Sequence, residues 1–215
     1  MFKKLAVAAA AALPLAASAA LFTFANEFSG GADCANMVTG CATLEVTASG
    51  SNTHFKLTGT MAPGEFITSL YGNIDPFKQT FATSFSGTGL NAAQVLSISQ
   101  DAYKADGDGY FDWRLDLSSS PPRFDGVDTL EWVFLDTTLA DAIGGISQNG
   151  PAGKTGFSFA LHAQGLEGGS GWFNGVLRQP EGDPDPQDLP EPSTLYLALA
   201  VLGFALAQHK NKSQA

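Results

Sequence analysis

The sequence predicts an all-β domain, an antiparallel two-sheet β-sandwich of which a jelly roll is one form. Three observations carry this. Apolar and polar residues alternate with period two in run after run between residues 26 and 178, as strands with one wet face require. Turn residues separate the runs, and Gly (24) far outnumbers Pro (11). Helical periodicity is nearly absent, with residues 139–143 spaced for one short turn. Eight or more such strands are expected to close as a sandwich. A body of ~150 residues is large enough to bury a core.

The elements follow in order. Leu44, Val46 and Ala48 alternate with Thr43, Glu45 and Thr47. Ser49-Gly50-Ser51-Asn52 is a turn, after which Phe55, Leu57 and Met61 oppose His54, Lys56, Thr58 and Thr60; the pair reads as a hairpin. Phe81 and Phe85 flank Thr83. Phe111, Trp113, Leu115 and Leu117 point one way, and Asp112, Arg114 and Asp116 the other. Leu130, Trp132 and Phe134 oppose Glu131 and Val133. Phe157, Phe159, Leu161 and Ala163 oppose Ser158, Ala160, His162 and Gln164, and a last strand runs from Trp172 to Leu177.

Composition narrows the function. The 215 residues carry 11 Lys+Arg and 21 Asp+Glu, a net charge of −10, with only 15% charged and 16 Phe. So many aromatics and so few charges exclude a disordered chain. The acidic balance excludes a nucleic-acid binder, which needs a basic footprint.

Both ends read as addresses, two short apolar helices flanking the body. Lys3 and Lys4 precede an apolar stretch from Leu5 to Ala17, and Ala17-Ser18-Ala19 is a small-x-small triplet. Residues 1–19 are therefore expected to be a secretory signal peptide cut after Ala19, with Ala25 as the alternative. At the other end, residues 179–192 hold five prolines and five acids. The stretch 179–189 should be an extended, solvated linker between the domain at 20–178 and the tail at 190–215. Leu195 to Ala207 carry no charge, and thirteen residues make a helix of only ~20 Å, short of the ~30 Å hydrocarbon core. His209, Lys210 and Lys212 close the chain on a basic note suited to a positive-inside end. Between Ala20 and Ser193 there are 7 basic and 21 acidic residues, so the body carries −14.

The order Pro190-Glu191-Pro192-Ser193-Thr194, short apolar helix, basic end resembles the PEP-CTERM sorting signal of Gram-negative bacteria. The family's arginine-rich end is represented here by two Lys and a His. The resemblance spans residues 190–215. It implies export through the Sec translocon, transient membrane contact through Leu195 to Ala207, processing by an exosortase, and delivery to the cell surface or extracellular polymer. More loosely, residues 64–71, residues 109–112, and residues 160–165 with Ser170-Gly171-Trp172 resemble exported domains that precede this signal, for which no activity is implied.

Few residues offer chemistry. Cys34 and Cys41 enclose six residues; in an exported protein such a pair is expected to form a local disulfide. It lacks the C-x-x-C spacing of a redox pair. Asp106, Asp108 and Asp112 around Gly107 and Gly109 suggest part of a calcium loop. An EF-hand alignment puts Lys104 and Leu115 on ligand positions, so a turn entering a strand is the plainer reading and calcium the one cofactor in question. His54 and His162 fall on faces opposite the Phe rows, with no metal-ligand spacing around them. No G-x-S-x-G elbow, P-loop or H-E-x-x-H occurs, so no catalytic residue is identified. Trp172, after Gly168-Gly169-Ser170-Gly171, could stack on a sugar ring or plug the sandwich edge. The expectation is a non-enzymatic, exported protein of the envelope or exopolysaccharide matrix. A carbohydrate-binding module using Trp172 is the first alternative, and an exported hydrolase with dispersed acids the second.

Overall fold

The computed structural model describes residues 19–35, 40–106, 109–150 and 156–178. The expected sorting residues Pro190, Glu191, Pro192 and Ser193, the apolar stretch 195–207, and most of the expected signal peptide lie outside the described residues. No helix among the described residues is long and apolar enough to cross a membrane.

Among the described residues, ten strands build the fold: β1 (Ala19–Ser29), β2 (Ala42–Ser49), β3 (Asn52–Gly59), β4 (Phe66–Gly72), β5 (Ala93–Ala105), β6 (Gly109–Leu117), β7 (Phe124–Asp125), β8 (Thr129–Phe134), β9 (Phe159–Leu166) and β10 (Gly169–Arg178). A 3-10 turn covers Thr88–Ala92, and a short helix, α1, covers Leu139–Gly144. The all-β expectation holds, and every strand pairing is antiparallel. The strands form one continuous path, β5-β6-β4-β9-β10-β1-β2-β3-β8, with β7 beside β4. That sheet curls back on itself: Phe55 of β3 and Trp113 of β6 stand six places apart in the order, yet their rings lie 5.8 Å apart. Curling buries one face without dividing the sheet, so hydrogen bonding stays unbroken where two sheets were expected.

The predicted hairpin is in register, with Ser49 opposite Asn52 and Val46 opposite Phe55. Leu44, Val46, Phe55 and Leu57 are fully buried, as their alternation demands. Phe55, Trp113, Trp132, Phe134 and Phe159 form the aromatic centre of the core, Phe55 stacked on Trp132 at 5.2 Å. Gly72 lets Trp113 lie directly against the β4 backbone, because a Cβ there would overlap the indole. At the chain entry, Cys41 N–H donates to the Phe24 carbonyl at 3.0 Å. Gly40 makes this approach possible: its φ is +69°, and a Cβ would strike the Phe24 carbonyl.

Four features depart from expectation. β1 contributes Phe22 and Phe24 to the core and pairs with both β2 and β10, so residues ahead of 26, where no alternation was read, belong to the fold. β5 is a full edge strand. The segment around Thr83 is no strand; Ala82 and Ser86 make isolated bridges to β8, and Phe81 is 71% exposed. Phe111 leaves its predicted face, and Asp112 is buried where an exposed carboxylate was predicted. A register shift between Ile98 and Tyr103 of β5 accompanies the change. Phe111 joins an outer-face cluster with Tyr71, while Asp112 is buried, accepting from Ile74 N–H and Asp101 N–H, both at 2.9 Å.

Candidate functional site

Trp172 lies on the outer face of β10, where alternation places it on the side opposite the fully buried Phe173. Strand register then sets its neighbours. Trp172 opposes His162 on β9 and Ser29 on β1. His162 opposes Ser69 on β4, and Tyr71 two residues on opposes Arg114 of β6. The result is an aromatic patch on the outer face, separate from the core. Trp172 stacks on His162 and packs against Tyr71 at 5.5 Å and Phe28 at 6.5 Å. Tyr71 is buried beneath it and meets Phe111 at 5.8 Å. Trp172 is thus held on a strand by its neighbours, neither on a free loop nor plugging an edge.

Polar groups frame the patch. Ser29 Oγ donates to Asp106 Oδ2 at 2.9 Å, which brings Asp106 to the cross-strand partner of Trp172. His162 Nδ1 lies 2.7 Å from Thr68 Oγ1. Burial lowers the His162 pKa, and the nearby Asp106 charge opposes that shift. Arg114 reaches Asp116 at 2.7 Å and covers the Tyr103 ring at 5.7 Å. Its guanidinium, partly desolvated, stays firmly charged because Asp116 and Tyr71 hold it. Two residues singled out for different reasons, Trp172 and Asp106, therefore share one surface. Tyr71, Phe28 and Phe111 were missed as its members. Phe28 and Tyr71 lie on β1 and β4, strands that no clear alternation marked, and Phe111 was assigned to the core.

The other candidates disperse. Asp106 and Asp112 serve different hydrogen bonds, Asp108 lies outside the described residues, and no group of three His, Cys, Asp or Glu capable of holding a metal occurs among the described residues. His54 sits on the outer face of β3, 3.3 Å from Glu131. Cys34 and Cys41 form the expected disulfide, with Cα atoms 5.3 Å apart. Asp112 instead lines a cavity of about 270 Å³ with Asn73, Phe77, Gln100, Asp101 and Gln148. Burial and the neighbouring Asp112 raise the Asp101 pKa. Both Asp112 oxygens are engaged by backbone N–H groups, so this carboxylate ties β5 and β6 to the chain after β4. Comparison with protein-family profiles, with curated proteins and with solved structures finds no match.

Proposed function

We propose that the chain is an exported, surface-sorted, non-enzymatic protein of the envelope or exopolysaccharide matrix, its curled sheet acting as a sandwich-like module. The observation that carries this reading is the Cys34–Cys41 disulfide. The buried disulfide agrees with an oxidising destination. Deleting residues 190–215 tests it: the protein should pass freely into the medium or periplasm. Unchanged surface retention would contradict the sorting assignment.

A second reading, polysaccharide binding, is favoured by one juxtaposition. Trp172 offers an apolar face beside the Asp106 carboxylate and the Ser29 hydroxyl. A sugar presents C–H groups on a ring face and hydroxyls at its edge, which aromatic and carboxylate groups recognise together. Pull-down on purified exopolysaccharide should show saturable binding, lost in Trp172→Ala and weakened in the exposed Asp106→Ala. Binding that survives both removes this reading.

A further inference from the structure

We propose that the cavity between the chain after β4, the shifted middle of β5 and the segment after α1 is a binding site for one neutral sugar ring. None of its lining residues belongs to the Trp172 patch. Backbone hydrogen bonds fix its walls. Asp112 accepts from Ile74 N–H and Asp101 N–H. Asp75 N–H donates to the Asp141 carbonyl at 2.9 Å, and Tyr110 and Gln148 exchange bonds at 2.8 and 2.9 Å. The opening is built into the fold, and a site already formed loses little freedom on binding.

One withdrawn acceptor is left for an occupant. Asn73 lines the cavity and is only 3% exposed. Its Nδ2 donates to the Phe157 carbonyl at 3.3 Å, while its Oδ1 accepts from no group among the described residues. Polar groups so removed from bulk water are rarely left unpaired, so this oxygen calls for a donor within the cavity.

The lining selects the molecule that brings the donor. No Lys, Arg or His lines the cavity, so phosphates and uronates find no counter-charge. Asp75, Asp101 and Asp112 only accept when ionised, whereas the Gln100 amide both donates and accepts. Hydroxyl groups answer both kinds of partner; an ammonium group only donates. Phe77 and Ile146 add apolar surface, which suits the C–H face of a sugar ring. A metal ion fits poorly. No group of three His, Cys, Asp or Glu capable of holding one occurs among the described residues, and both Asp112 oxygens already take backbone N–H groups. At about 270 Å³ the cavity falls below the ~300–1,000 Å³ of sites for drug-sized ligands, so it admits one ring and not a chain.

Ligand-observed NMR titration of the full chain as purified after export, with glucose, galactose and mannose, tests this. At least one should bind saturably, with a Kd of ~1 mM or tighter, and glucuronate should not compete. Asp101→Asn removes the charge with a residue that tolerates the φ of +46° there. It and Gln100→Ala, at an exposed position, should each weaken binding about fivefold, with circular dichroism and thermal midpoint retained. Trp172→Ala should leave it unchanged, which separates this site from the polysaccharide reading. No saturable binding of any of the three sugars, binding indifferent to both cavity substitutions, binding lost in Trp172→Ala, or a preference for glucosamine or calcium would overturn the proposal.

Discussion

His162 lies nearly flat against Trp172, their ring centroids 4.4 Å apart and their planes 22° from parallel. Burial, and not the stacking itself, sets the direction of the histidine's pKa. Half-buried against an indole, the imidazolium is poorly solvated, so the folded state favours the neutral ring. A folded pKa below the unfolded value near 6.5 gives stability that is full above ~6.5 and lost as pH falls through the lower folded value. The thermal midpoint should therefore decline from pH ~6.5 downward. His162→Gln should flatten that part of the profile. A profile unchanged by the substitution would contradict the burial account.

Gly72 and Trp113 make a close backbone approach in the aromatic core. A Cβ at Gly72 would overlap the indole, and that indole is fully buried among Phe55, Trp132, Phe134 and Phe159. Nothing flexible can yield. Gly72→Ala should cost ~1–3 kcal/mol in urea unfolding. Gly144→Ala, where a Cβ would meet nothing within 4 Å, should stay within ~0.5 kcal/mol.

Helix α1 is fixed at its start. Thr138 and Asp141 form a reciprocal capping box, and Asp141 also accepts from Lys78 at 2.6 Å. The Lys78 hydrogen bond is the main reason that the Asp141 pKa is lowered. Asp141→Ala should cost ~1 kcal/mol at neutral pH, the half-exposed Lys78 adding little. Because the folded pKa is lowered, this contribution is present above the unfolded carboxylate value and lost as pH falls through the folded one. The wild-type and variant stabilities should converge below pH ~4.

The disulfide should also be measurable. Cys34 and Cys41 are both buried, and close the loop beside the Phe24 and Gly40 contact. Cys41→Ser should cost roughly 2–3 kcal/mol. A free-thiol assay on exported protein should find no reactive thiol.

Part of this architecture could be read directly from the residues, and the failures have physical causes. The β2–β3 hairpin was legible because Leu44, Val46, Phe55 and Leu57 alternate strictly around a Gly-Ser turn. β8 and β9 were legible for the same reason, though β9 starts at Phe159, after Phe157. β5 was not, because an edge strand leaves Val95, Ser99 and Gln100 exposed and its pattern carries no clean period. β1 was hidden by its apolar run of Ala19 to Ala25, which continues the composition of a signal peptide. Asp112 misled because its burial rests on hydrogen bonds from the Ile74 and Asp101 backbones, which alternation along β6 does not signal. The outer aromatic patch was legible only at Trp172 and Asp106. Its other members come from β1, β4, β6 and β9, and only the strand order joins them.

The position of β1 gives the account its most direct test. Phe22 is 4% exposed and Phe24 fully buried, and β1 separates β10 from β2. A cut after Ala25 would remove both rings and open the sheet at its middle. Intact mass and N-terminal sequencing of protein recovered from an exporting Gram-negative host decide the matter. The account predicts a chain that begins at Ala20, with both cysteines oxidised. A chain beginning at Met1 with two free thiols would contradict export; one beginning at Asn26 and still folded would contradict the role assigned to β1.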